Sequence, residues 1–133
     1  MVGILPATSA DHLLRLPAAD HLLNHLGTVH ASALFSLAEA SSGEFLTRQV
    51  TATERTDIGA VVRKAECKYS SPASGELVAT SSTDPAALQD TIFSLVDGKR
   101  TLTIIDIDLQ DTSGKRLAKF SFTWFLFVLP KNA

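Results

Sequence analysis

The strongest pattern in the chain runs from Ala31 to about Leu46, ASALFSLAEASSGEFL, which is rich in Ala and Leu and has no β-branched residue. Small and straight side chains lose little rotamer freedom in a helix, so propensity predicts one here. Ala33, Leu34, Leu37, Ala38 and Phe45 are apolar, whereas Ser32, Ser36, Glu39 and Gly43 recur at i, i+4, i+7 and i+11. On a helix those four form one narrow stripe of small residues with a carboxylate in its middle. Because the other faces are nearly all apolar, the helix is expected to be mostly buried.

Strand patterns follow. Ile58 to Tyr69 and Glu76 to Ser82 read as strands, and Pro72-Ala73-Ser74-Gly75 between them has turn chemistry that predicts a hairpin. Thr83-Asp84-Pro85 reads as an N-cap followed by proline in the first turn of a short helix, running to about Val96 and stopping near Gly98. Thr101 to Asp111 and Lys115 to Leu129 predict two more strands around a second hairpin turn, Asp111-Thr112-Ser113-Gly114. Upstream, Ala10 to Asn24 carries five leucines but is interrupted by Pro17, which leaves two short elements. In the last strand Phe120, Phe122, Trp124, Leu126 and Val128 share one face, while Phe125, Phe127 and Leu129 share the other near its end. A helix covers only one face of an antiparallel sheet, so the second apolar face predicts self-association.

Composition bounds the class. A length of 133 residues, against roughly 150 for a typical domain, predicts a single domain over residues 1–133. The chain is 45% hydrophobic and 20% charged, with net charge -2, which supplies no basic field for a nucleic-acid backbone. The apolar start, Met1 to Pro6, is too short for a signal segment. The longest stretch without Asp, Glu, Lys or Arg, His21 to Ala38, holds three His and several hydroxyls, so no membrane span is expected. The single cysteine, Cys67, fits a reducing cytoplasm and is expected to be a small buried hydrophobe. His12, His21, His25 and His30 all lie in the first thirty residues, yet neither a HExxH spacing nor a Cys or acidic cluster completes a ligand set, and no metal is expected.

The candidate chemistry lies where Asn24-His25-Leu26-Gly27-Thr28-Val29-His30-Ala31-Ser32 opens the predicted helix, with Glu39 two turns inside. Free N–H groups and the positive dipole end of a helix start stabilise an oxyanion, and a carboxylate further along serves as base or nucleophile at an acyl carbon. Burial among Ala, Leu and Phe would desolvate Glu39 and strengthen it as a base. The opposing reading makes Glu39 a structural carboxylate paired with Arg48, Arg63 or Lys64, and Asn24 and His30 plain loop and cap residues.

Together these residues resemble the hotdog-fold acyl-CoA thioesterases, nearest to the phenylacetate-pathway type. That family shows Asn, then Gly-Thr, then His-Gly-Gly leading into a long central helix with Asp or Glu nine residues after the His. Asn24, Gly27-Thr28, His30-Ala31-Ser32 and Glu39 stand at the matching offsets, followed by the Tyr-x-x-Pro-Ala-x-Gly turn as Tyr69 to Gly75. The resemblance covers most of the chain. It implies an α+β hotdog, an antiparallel sheet wrapped around the central helix, assembled as a homodimer or homotetramer. It further implies Glu39 as the carboxylate that activates water or attacks the thioester, the Ala31 N–H as oxyanion donor, Asn24 as the group orienting water or thioester, and His30 as the residue shaping the loop. Ser32, Ser36 and Gly43 on the helix, and Asp57, Gly59 and Val61 reaching across the subunit interface, would contact substrate. The implied substrate is an acyl-CoA or similar thioester, with no cofactor beyond coenzyme A itself.

The chain departs from the family at His-Ala-Ser in place of His-Gly-Gly, where the Ala31 Cβ and the Ser32 hydroxyl narrow the approach to the backbone. Its carboxylate is Glu where close relatives often have Asp, adding one methylene of reach. Two rival functions follow: a non-catalytic hotdog that binds an acyl or other apolar ligand, and a hydratase or dehydratase on a related fold.

Overall fold

In the computed structural model, which describes residues 2–24 and 26–130, the predicted helix α1 spans Ala31–Ala52 and continues well past Leu46. Thr47, Val50 and Thr51 are weak helix formers, so tertiary contacts hold the added turns. Gln49 is buried and its Oε1 accepts from Gln89 Nε2 at 2.7 Å. Arg48 donates to Glu44 at 3.1 Å and reaches the Leu13 carbonyl at 3.5 Å. The helix ends at Thr53, followed by Glu54 in the left-handed region at φ 62°.

The remaining elements are β1 (Leu5–Pro6), β2 (Leu14–Leu16), β3 (Ile58–Tyr69), β4 (Leu77–Ser81), α2 (Pro85–Phe93), β5 (Arg100–Asp111) and β6 (Arg116–Val128). The strands form one antiparallel sheet in the order β1-β2-β4-β5-β6-β3. Wrapped about α1, it makes the expected hotdog. The segment Ala10 to Asn24 resolves into β2 and a single 3-10 turn over Asp20–Leu22, two short elements as its leucines and Pro17 predict.

The β5–β6 hairpin forms as predicted. The Asp111 carboxylate accepts from the N–H groups of Ser113 at 2.9 Å and Lys115 at 3.1 Å, and Gly114 takes φ 89°, a turn conformation that L side chains rarely adopt. The other expected hairpin does not form. β3 pairs along its length with β6, from Ile58 opposite Val128 to Tyr69 opposite Ala118, while β4 lies between β2 and β5. A strand of 12 residues meets more of its backbone hydrogen-bonding demand on the 13 residues of β6 than on the five of β4. Pro72 to Gly75 is drawn elsewhere: Ser70 and Ser71 donate to the Leu117 carbonyl, and the Ala73 carbonyl accepts from Val29 N–H at 2.9 Å.

α1 lies on the inner face of the sheet, where Leu34, Leu37, Ala38 and Phe45 join Ile105, Ile107, Leu109, Phe120, Phe122 and Leu126 in one buried cluster. α2 is capped by Asp84, whose side chain accepts from Ala86 N–H, and buries Leu88 and Ile92. It stops at Phe93, short of Val96. Arg55 ties its end to the sheet, donating to both oxygens of Asp57 at 2.9 and 2.8 Å and to the carbonyls of Ile92 and Leu95. The hydrogen bond to Asp57 raises the Arg55 pKa above its already high ordinary value.

The outer face carries the second apolar surface that the last strand predicts. Val61, Leu102 and Ile104 are exposed there, and Arg63 stands 4.6 Å over the Phe125 ring. The register of β3 shifts between Val62 and Lys64, a bulge in the edge strand. No helix of the described residues is long and apolar enough to cross a membrane.

Candidate active site

The loop before α1 is held by Asn24. Its Oδ1 accepts from the N–H groups of Leu26 at 2.9 Å and Thr28 at 3.2 Å, and from the Thr28 hydroxyl at 3.1 Å. Gly27 completes the turn at φ 76°, donating to the Asn24 carbonyl at 3.0 Å. The amide NH2 of Asn24 has no acceptor among the described residues. His25 lies outside the described residues.

His30 sits at the N-cap of α1 with extended backbone, φ -57° and ψ 140°, and its side chain does not cap the helix. Its carbonyl accepts from Ala33 at 3.0 Å and Leu34 at 3.2 Å. The N–H groups of Ala31 and Ser32 have no acceptor among the described residues, the state expected of the first turn of a helix without a side-chain cap. A cleft of about 330 Å³ opens beside them, lined by Asn24, Thr28, Ala31, Leu34, Tyr69 and Ser71 among others. Asn24 and Ala31 are therefore brought together. His30, Ser32 and Ser36 line a neighbouring cleft of about 350 Å³ with His21 and Val2, and the Ser36 hydroxyl is turned back onto the Ser32 carbonyl at 2.9 Å.

Glu39 is exposed, which corrects the expectation that its helix buries it. Its place on the helix explains the difference. One turn before it, the Phe35 ring meets Phe120 and Phe122 edge-on, with centroids 6.0 and 5.6 Å apart. One turn after it, Trp124 donates from Nε1 to the Ser42 hydroxyl at 3.2 Å and lies 3.8 Å from the point where a Gly43 Cβ would stand. Glu39 thus occupies the seam where α1 overhangs the β6–β3 side of the sheet. None of the cations weighed as structural partners pairs with it. Arg48 pairs with Glu44, Lys64 with Glu66 at 2.7 Å, and Arg63 covers Phe125.

Beneath that seam runs the inner face of β3, where Ala65, Cys67 and Tyr69 are exposed because the helix does not reach the sheet edge. The exposure of Cys67 corrects its expected burial. Tyr69 packs edge-on against Phe120 at 5.7 Å, and its hydroxyl pKa is raised by partial burial and by the neighbouring Cys67.

The three β3-side positions implied by resemblance fall elsewhere on the chain. Val61 is exposed in a row with Phe125 on the outer face, and Gly59 faces outward too, where a Cβ would meet the Phe127 ring. Asp57 is held by Arg55. Within one chain none of the three meets Glu39. Phe35, Tyr69 and Trp124 do line the seam or the adjoining cleft; the sequence marks Tyr69 only as the start of a turn motif and gives Phe35 and Trp124 no role in the site. Period-two alternation placed Trp124 on the inner face, but such a residue reads as core until the helix above it is known to present a glycine there.

Comparison with solved structures finds the same fold. A Pseudomonas aeruginosa protein described as of unknown function and a probable thioesterase is 25% identical, with a TM-score of 0.72 over 86% of this chain and 74% of that one. A Bacillus halodurans protein solved with CoA is 19% identical, with a TM-score of 0.65 over 86% of this chain and 66% of that one. A Streptococcus mutans protein bound to acetyl-CoA is 20% identical, with a TM-score of 0.59 over 89% and 82%. No curated protein matches the sequence. The profile of one family, described as a domain of unknown function, DUF4442, matches residues 8–126. The chain is a hotdog-fold protein and belongs to the DUF4442 family.

Proposed function

We propose that the protein hydrolyses an acyl-CoA thioester, with Glu39 as base or nucleophile and the first N–H groups of α1 as the oxyanion site. One observation carries this reading: the Ala31 and Ser32 N–H groups, Ala31 lining a cleft, and the exposed Glu39 carboxylate, none of them with a partner among the described residues, lie on the same helix next to the open sheet edge. CoA and acetyl-CoA bound to two proteins of this fold support the ligand class.

In the general-base form Glu39 takes a proton from water, the water oxygen bonds to the carbonyl carbon, and the Ala31 N–H holds the oxyanion. Collapse of the tetrahedral intermediate breaks the carbon–sulfur bond, and the CoA thiolate leaves and takes up a proton. In the nucleophilic form the Glu39 carboxylate bonds to the carbonyl carbon, the carbon–sulfur bond breaks as the CoA thiolate leaves and takes a proton from solvent, and water then opens the mixed anhydride, releasing the acid and restoring the Glu39 carboxylate. The amide NH2 of Asn24 orients the thioester or the water in either form. Neither form calls for a group beyond the chain, the substrate and water.

The proposed assembly is a dimer through β3, whose 12 residues form one edge of the sheet. Eight residues separate Ala31 from Glu39, about 12 Å of helix, which is long for two groups acting on one carbonyl. A second copy lying antiparallel sets its Glu39 near the first copy's helix start and covers the exposed inner face of β3. The apolar outer face is the surface on which such dimers would pair into a tetramer.

Turnover of short, long and aromatic acyl-CoAs by wild type and Glu39→Gln tests the reading. The substitution is expected to cost about 10²- to 10⁴-fold in kcat and to leave Tm unchanged, because the carboxylate is exposed and forms no ion pair among the described residues. A Glu39→Gln protein as fast as wild type removes Glu39 from the chemistry, and a silent wild type favours the non-catalytic acyl-binding reading.

A further inference from the structure

The seam around Glu39 has an aromatic ring one helical turn away on either side. Phe35, one turn toward the N-terminus, is wedged edge-on against Phe120 and Phe122. One turn toward the C-terminus the Trp124 indole lies across Ser42 and Gly43, its atoms 3.8 and 3.9 Å from the Gly43 Cβ position. The indole is held in place: its N–H donates to the Ser42 hydroxyl at 3.2 Å, and that hydroxyl in turn donates to the Glu39 carbonyl at 2.7 Å. The wall is therefore tied to the backbone of the residue it stands beside. The Gly43 Cβ position stands at van der Waals distance from the ring, so the indole packs flat on the helix there.

From these contacts we propose that Trp124 is the end wall of the acyl site and restricts the enzyme to short acyl groups. The inference rests on the thioesterase reading only in taking Glu39 as the mark of the reacting carbon. One helical turn, about 5.4 Å, separates Glu39 from the Ser42–Gly43 turn under the indole. An acyl chain starting at Glu39 and running along the seam meets the ring after roughly four carbons. The alternative direction is blocked at a similar distance by Phe35.

Trp124 is the only tryptophan in the chain, which makes it its own reporter. Non-hydrolysable thioether analogues of acyl-CoA with two to twelve acyl carbons are titrated into the wild-type protein while its emission is followed. The two-carbon analogue is expected to leave the emission maximum in place, and analogues of four carbons or more to shift it. In parallel, kcat/KM for butyryl-CoA and octanoyl-CoA is compared in wild type, Trp124→Leu and Trp124→Phe. Trp124→Leu, which keeps an apolar filling, is expected to raise the octanoyl-to-butyryl ratio at least about tenfold, a typical return for pocket contacts of this size, and Trp124→Phe to fall between. Should Trp124→Leu fail to fold, the emission series and Trp124→Phe decide.

Emission that ignores acyl length, together with a ratio unchanged in folded variants, overturns the end wall even if hydrolysis is found. Length-dependent emission without hydrolysis keeps the wall and overturns the thioesterase reading. Absence of both removes both.

Discussion

The two flanks of α1 meet the sheet in opposite ways. Over the β2 side, Glu44 is paired with Arg48, whose guanidinium also reaches the Leu13 carbonyl, and the sheet continues beneath through β4, β2 and β1. Over the β3 side, Glu39 has no ion pair among the described residues, Phe35 and Trp124 flank it, and the sheet stops at an edge strand of 12 residues. Two glutamates of one helix thus have different surroundings for a topological reason. The closed flank satisfies its charges within the chain. The open flank is left with the carboxylate, the free N–H groups and the unpaired strand edge that a ligand or second chain requires.

The largest expected effect tests whether the open flank is completed by a second copy. Ala31→Pro removes the proposed oxyanion donor at a helix position where proline is tolerated, and His30 already has the extended backbone suited to precede it. Alone, Ala31→Pro and Glu39→Gln are each expected to be nearly inactive. Mixed and allowed to exchange subunits, they should recover up to about a quarter of wild-type activity, since half the dimers are mixed and each of those has one intact site. No recovery in verified mixed dimers would place both groups of a site in the same copy.

A smaller effect is expected on stability alone. Gly59→Ala sets a methyl against the outer ends of the partly exposed Phe127 and Leu129 side chains, which must shift to admit it. It should cost about 1 kcal/mol in urea unfolding, with kcat/KM little changed once the protein is folded. An undisturbed stability with altered kcat/KM would instead return Gly59 to the substrate site.

The smallest effect sharpens the contrast between the two carboxylates. Glu44→Gln breaks a half-exposed pair on the closed flank and is expected to cost no more than about 0.5 kcal/mol, with turnover at the wild-type level. Equal losses of activity in Glu44→Gln and Glu39→Gln would mean that the flanks are not functionally distinct.

Much of the fold is local and was readable from the residues. Ala- and Leu-rich composition predicts α1, Asp84-Pro85 predicts the start of α2, and Asp111 to Gly114 predicts the one hairpin that forms. Each depends on contacts only a few residues apart. The failures are all long-range. The turn chemistry of Pro72 to Gly75 does not reveal that β3 goes to β6, because strand pairing is chosen by the ladder over its whole length. The last turns of α1 are held by partners such as Gln89 and Leu13, far away in sequence. The site divides in the same way. Asn24, Ala31 and Glu39 belong to one continuous segment and its spacing exposes them, whereas Trp124 enters from the last strand.

What the sequence by itself determined is the set of groups at the start of one helix, the carboxylate two turns along it, and the hotdog family those spacings resemble. Only the tertiary structure decided that the carboxylate stands on an open seam rather than in a core, that Gly59 and Val61 turn away from it, and that an indole lies on the helix one turn beyond it. The reason is physical: spacing along a helix fixes which side chains share a face, but which face is covered depends on where the sheet ends.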